Sequence, residues 1–196
     1  PKRSDIKSVF AGLRPLAASE NKEESTKEIS RHHKITVSTS GLVSILGGKW
    51  TTYRKIAEDT VNTVQIVGGL SERKCNTESL PIFGFDPSTD WNHPLHCYGT
   101  EANKILALDK ENGNKSLSDK LYITKNQIHW GIKEEMAHKL EDILARRTRC
   151  LFLDAYETEK IAPKVAEIMA EVLNKNQEWI NGELEQFKLI IKNYQL

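Results

Sequence analysis

The stretch Gly41 to Arg54, GLVSILGGKWTTYR, constrains the fold more than any other part of the chain. A short apolar run meets a Gly-Gly pair, then a lysine, then a hydroxyl pair that opens a helical pattern. Leu42 to Leu46 fits a buried strand. Tyr53, Ile56, Ala57, Val61 and Val64 recur mostly at threes and fours, which predicts an amphipathic helix from about Thr51 to Ile66. Gly68-Gly69 stops it. Glycine allows close backbone approach and unusual dihedrals, and a helix N-terminus offers free N–H groups with a partial positive charge. Two readings therefore stand side by side: a tight strand-to-helix turn, or a wall that meets an anion or a flat cofactor. The spacing is neither that of a P-loop (GxxxxGK followed by Ser or Thr) nor that of GxGxxG.

The rest of the chain divides around this motif. Residues 1–69 read as strand-rich, because Ile6 to Leu13 (IKSVFAGL) and Lys34 to Ser38 (KITVS) carry β-branched and aromatic residues. Between them, Ala17 to Glu28 is polar, without apolar period, and reads as an exposed loop. Residues 70–98 are punctuated by Pro81, Gly84, Pro87 and Pro94 and read as a connection. From residue 99 to 196 the pattern is helical. A short helix is expected over Thr100 to Leu108, then a turn at Asn112-Gly113. Thr124 is an N-cap candidate for a helix bearing Ile128, Ile132 and Met136. Leu140, Ile143 and Leu144 continue a helical face into Arg146-Arg147-Thr148-Arg149. Asp154 or Thr158 could start the next helix, with Pro163 suited to a first turn and so a start near Ile161. Asn176 to Tyr194 repeats the pattern. The expected fold class is α+β: a strand-rich first part followed by an all-α bundle.

Composition narrows the function classes. Lys plus Arg is 28 against 27 Asp plus Glu, a net charge of +1, so nothing demands a nucleic-acid partner. No apolar run approaches the roughly 18 residues that span a bilayer. The opening PKRSDIKSVFAGLRPL lacks a signal-peptide core, and the missing initiator Met suggests a fragment or a processed product. Cys75, Cys97 and Cys150 are odd in number and far apart, which fits ordinary thiols in a reducing compartment rather than a disulfide framework or a metal site.

Candidate binding residues carry a functional and a bland reading each. Arg14 in AGLRPL and Arg31 in SRHHKI suit bidentate phosphate binding, or pair with surface carboxylates. His32 and His33 are adjacent, so on a strand they point to opposite faces and cannot easily serve one metal. The other histidines show no ligand spacing, and no metal site is expected. The run Arg146 to Arg149 fits a helix C-terminus with ion pairs to Glu141 and Asp142, or an acidic partner surface.

The order AGLRPL, SRHHKI, GLVSILGGKWTTYRKIAEDTV, followed by LEDILARRTRCLFLDA and EVLNKNQEWINGELEQF, resembles the C-terminal half of the FAD-dependent glycerol-3-phosphate dehydrogenases and the related glycerol-3-phosphate oxidases. The resemblance covers nearly the whole chain. It implies that residues 1–69 are part of an FAD/substrate-binding domain, 70–98 a linker and 99–196 a helical C-terminal domain. It implies a parent enzyme that oxidises sn-glycerol 3-phosphate to dihydroxyacetone phosphate, passing electrons through FAD to quinone, or to oxygen in the oxidases. Arg14 and Arg31 match arginines that hold the substrate phosphate. Lys49 matches the catalytic lysine beside flavin and substrate, and Gly47, Gly48, Trp50, Thr51 and Thr52 the stretch lining the flavin.

The family's GxGxxG unit and its substrate-side histidine have no match here; His32 and His33 do not supply the latter. The expectation is therefore an excised C-terminal portion, inactive alone and not retaining FAD. A cytoplasmic location peripheral to the inner face of a bacterial-type membrane, and a homodimer, are further expectations. The competing function is a helical interaction or dimerisation module over residues 99–196.

Overall fold

Two strands, β1 (His33–Val37) and β2 (Val43–Gly47), form an antiparallel hairpin in which His33 faces Gly47 and Val37 faces Val43. The computed structural model describes residues 2–13, 33–112 and 115–196. Ser38 closes the hairpin loop: its amide donates to the Leu42 carbonyl at 2.9 Å and its Oγ accepts from the Leu42 amide at 3.1 Å. A single 3-10 turn, Trp50–Thr52, leads from β2 into helix α1 (Tyr53–Val67). The helix ends at Gly68, whose amide donates to the Val64 carbonyl at 2.8 Å, where the Gly-Gly pair places it.

The chain separates into two compact units, Gly12–Ile82 and Pro1–Ala11 together with Phe83–Leu196. The first holds the hairpin and α1. Among its described residues no apolar side chain is buried, and Leu42, Leu46, Trp50, Val61 and Ile66 are each more than half exposed. A two-stranded hairpin has little stability without a further layer to cover its apolar face.

The second unit contains the core. A 3-10 segment, His96–Glu101, precedes α2 (Ala102–Asn112), and α3 (Lys125–Lys133) follows. A π-helical turn at Asp142–Arg147 leads to α4 (Cys150–Leu153), α5 (Ala155–Leu173) and α6 (Gln177–Ile191). Ile123, Ile128, Leu140, Ile143, Leu144, Leu151, Val165, Met169 and Ile191 are almost wholly excluded from water. At about 1.5–3 kcal/mol for each fully buried apolar side chain, this cluster is the main favourable term for the unit. Caps start its helices. Thr124 accepts from the Gln127 amide at 3.2 Å while Gln127 Oε1 accepts from the Thr124 amide at 3.0 Å, a reciprocal capping box. Asp154 and Asn176 cap α5 and α6 through the amides of Glu157 and Trp179.

The structure corrects the expected α+β fold class. The described chain is mostly helical, and its only sheet is the two-stranded hairpin. Residues 6–13 form no strand of a flavin or substrate domain. Residues 7–9 instead bond within the helical unit: Lys7 O accepts from the Ala155 amide at 2.9 Å, the Val9 amide donates to Tyr194 O at 3.0 Å, and Ser8 Oγ donates to Leu151 O at 2.8 Å. Phe10 packs edge-on against Phe152, with ring centroids 5.1 Å apart. Their β-branched and aromatic content suits extended backbone, but the hydrogen-bonding partners are helix termini.

Two helix limits differ as well. α5 begins at Ala155, so Pro163 lies in its interior rather than its first turn. Burial of Ile161, Ala162, Val165 and Ala166 around it outweighs the roughly 3 kcal/mol that an interior proline costs. α3 stops at Lys133, and Met136 sits beyond it at φ +59, exposed, not on the face of Ile128 and Ile132. The Ala17–Glu28 stretch and Gly113 lie outside the described residues.

Candidate functional site

The Gly-Gly turn is held open by its own backbone. Gly47 and Gly48 both have positive φ, +73 and +95. A Cβ on Gly48 would lie 2.5 Å from Ile56 Cδ1 on α1 and 3.5 Å from His33 Cβ on β1. A side chain at Gly48 would therefore have to displace the end of Ile56 as well as adopt a positive φ. Lys49 follows in extended conformation, and its carbonyl accepts from the Thr52 amide at 3.0 Å and from Thr52 Oγ1 at 3.1 Å. This fixes the 3-10 turn that carries Trp50 and Thr51.

A groove of about 550 Å³ opens beside the turn. Gly47, Gly48, Lys49 and Trp50 line it with Tyr53 and Ile56. Trp50 and Tyr53 stack at 5.8 Å with 30° between their planes, and both are more than half exposed. Thr51 and Thr52 share the 3-10 turn but stand outside that lining, exposed to solvent. Lys49 is exposed, and among the described residues it makes no ion pair. The expected residues therefore split. Gly47, Gly48, Lys49 and Trp50 converge on one groove, Thr52 bonds to the Lys49 carbonyl beside it, Thr51 lies outside it, and Arg14, Arg31 and His32 lie outside the described residues.

A second cluster backs the turn. His33 Nε2 donates to Asp59 Oδ2 at 3.0 Å, and Lys55 Nζ reaches Asp59 Oδ1 at 2.9 Å. The Lys55 hydrogen bond, helped by that from His33, holds the Asp59 carboxyl below its ordinary range. Sequence reading set His33 aside and did not single out Asp59. The Lys55–Asp59 spacing of four on a helix was a visible signal. The His33 contact, across 26 positions, had none. Arg54 turns away to Glu58 at 2.9 Å and Thr77 Oγ1 at 3.5 Å.

The basic run in the other unit is structurally occupied. Arg146 forks onto Glu141 and Asp142, both at 2.9 Å. Arg147 donates to the Glu135 carbonyl and lies 3.8 Å from its carboxylate. Arg149 takes a left-handed conformation at the N-cap of α4. The helix-end reading of this run holds for Arg146 in the pairs it named. Among the described residues no cluster of His, Cys, Asp or Glu is arranged to hold a metal, and no helix is long and apolar enough to cross a membrane.

Comparison with known proteins places these features. The sequence model for "C-terminal domain of alpha-glycerophosphate oxidase" matches residues 39–179. That range contains both the Gly-Gly-Lys turn and the Arg146–Arg149 run. A probable mitochondrial glycerol-3-phosphate dehydrogenase of Dictyostelium discoideum is 34% identical over 213 residues, covering 97% of this chain and 33% of that protein. The mitochondrial glycerol-3-phosphate dehydrogenase of Rattus norvegicus is 34% identical over 210 residues, covering 94% and 28%. That of Homo sapiens is 32% identical over 199 residues, covering 88% and 26%. The chain spans a third or less of the length of these relatives.

Proposed function

Because this chain belongs to the family of the C-terminal domain of alpha-glycerophosphate oxidase, we propose that it serves a larger enzyme oxidising sn-glycerol 3-phosphate to dihydroxyacetone phosphate. Its hairpin–α1 unit supplies one wall of the reaction site. The observation that carries this reading is the groove beside the turn, which Gly47, Gly48, Lys49 and Trp50 line together.

The residues present fit one edge of a flavin. A Cβ-free backbone allows a flat ring to approach closely, the Trp50–Tyr53 pair offers aromatic surface, and Lys49 offers positive charge. FAD, when bound, would supply the acceptor for the two electrons removed from the substrate. The chain contains no GxGxxG unit for the nucleotide half, so it does not retain FAD by itself. Lys49 stabilises negative charge on the substrate or at the cofactor edge, an effect that grows where water is excluded. Arg14 and Arg31 bind the substrate phosphate, an anion that suits guanidinium groups. Electrons leave to a quinone.

Replacing Lys49 by Ala in the full-length protein tests the assignment. A fall of about 100-fold or more in kcat/KM for glycerol 3-phosphate is expected, the scale of losing one preorganised electrostatic contact. Unchanged turnover would refute it. A flavin absorbance spectrum of the isolated chain is expected to show no stoichiometric flavin.

A further inference from the structure

The cluster behind the turn has a geometric consequence for Lys49. Gly48 lies beside two elements: a Cβ on it would meet both His33 of β1 and Ile56 of α1. Asp59 follows Ile56 by three positions, so the two share a face of α1. His33 pairs with Gly47 in the hairpin register and reaches from there to Asp59 at 3.0 Å. His33 thus stands beside the turn with its Cβ and reaches the helix with its ring. At this level that bridge spans the separation of β1 and α1. It must be wide enough to pass a glycine and narrow enough to seat it on Ile56.

We propose that the His33–Asp59 bridge positions Lys49: by fixing the β1–α1 spacing at Gly48, it sets where the lysine presents its charge to a phosphorylated polyol. The inference rests on the proposed role of Lys49. An exposed ion pair would contribute little, but His33 and Asp59 side chains are only 23% and 30% exposed. Lys55 on the far oxygen of Asp59 keeps the carboxylate aimed between the two partners. His33 is a positioning residue in this scheme and need not touch the substrate.

The test is a double-mutant cycle in the full-length protein. His33→Ala should raise KM for glycerol 3-phosphate about tenfold, with a smaller change in kcat, the scale of a modest misplacement of a binding group. His33→Gln, which keeps an N–H donor for Asp59, should recover most of the loss. Asp59→Asn, which removes the charge but keeps the shape, should fall between them and provides a second route if His33→Ala does not fold. In a Lys49→Ala background, His33→Ala should have no further effect. If the two losses instead multiply, the bridge acts independently of the lysine and the inference is wrong, with the role of Lys49 intact. If Lys49→Ala alone leaves kcat/KM unchanged, the reading beneath it fails first. A His33→Ala enzyme with wild-type KM also overturns the proposal.

Discussion

The carbonyl oxygen of Gly84 sits 1.7 Å from where a Cβ on Gly99 would be, and Gly99 has φ +52. The adjacent Thr100 amide donates to the same carbonyl at 3.1 Å. Residues before the helical unit's first turn are thus clamped backbone to backbone, a contact that no rotamer change can relieve.

Gly99→Ala should therefore be the most damaging glycine substitution in that unit. Positive φ for a non-glycine residue costs of order 1–3 kcal/mol, and displacing the Gly84 carbonyl adds to it. Gly182→Ala is the matched control, because nothing lies within 4 Å of its Cβ position in α6. It should stabilise by about 0.5–1 kcal/mol through helix propensity. Chemical unfolding of both variants checks the pair; Gly99→Ala equal to wild type would contradict the clamp.

Gly48→Ala should fail differently. Its clash is with Ile56 Cδ1, the far end of a flexible side chain. Gly48→Ala with Ile56→Val should regain part of the stability lost in Gly48→Ala alone, leaving the positive-φ cost behind. A double variant no better than the single would show that the backbone angle accounts for the whole loss.

The cap of α5 makes a third case. Asp154 Oδ1 accepts from the Glu157 amide at 2.9 Å, and Asp154 is nearly buried. Asp154→Ala should cost about 1–2 kcal/mol, while Asp154→Ser should cost less because it can still accept. Thermal unfolding of the two variants resolves the order.

Two carboxyls near the basic run should respond to pH with opposite signs. Burial works against ionised Asp142, yet the amides of His138 and Lys139 and the Arg146 guanidinium hold its carboxyl below the usual range. Its contribution to stability is complete above the ordinary carboxylate value and is lost as pH falls through the lower folded one. Glu135 is pushed up by burial, which Arg147 only partly offsets. Its folded form holds the proton longer, so stability declines as pH rises from the ordinary glutamate value through the raised one. Asp142→Asn should lower stability at pH 7 and flatten the acid limb. Glu135→Gln should raise it at pH 7 and remove the decline. Unfolding free energy against pH for each variant is the measurement, and matching slopes in both would refute the assignment.

Local chemistry was legible in the sequence where the structure uses it locally. Thr124 and Asn176 cap the helices whose patterns they open, Asp154 rather than Thr158 caps α5, and Gly68 ends α1. What escaped is tertiary. Residues 6–13 have strand-like content, but only the folded helices show that their partners are Ala155 and Tyr194. The π-helical turn at Asp142–Arg147 shares its apolar positions with an ordinary helix, so periodicity could not separate them. Pro163 looked like a start because proline suits a first turn, and only the burial around it keeps α5 continuous. In the candidate site, the Gly-Gly-Lys grammar marked the turn, whereas the His33–Asp59 bridge joins two elements with no shared local pattern.

The ties of residues 7–10 to Ala155, Phe152 and Tyr194 have a topological meaning. The helical unit is built from Pro1–Ala11 and Phe83–Leu196, so the hairpin–α1 unit, residues 12–82, is an insertion within it. Its assembly must close a long loop, a cost that grows only logarithmically with length. A protease cut inside the insertion should therefore leave the N-terminal peptide gripped by helices far along the chain, co-eluting with them until a denaturant releases it.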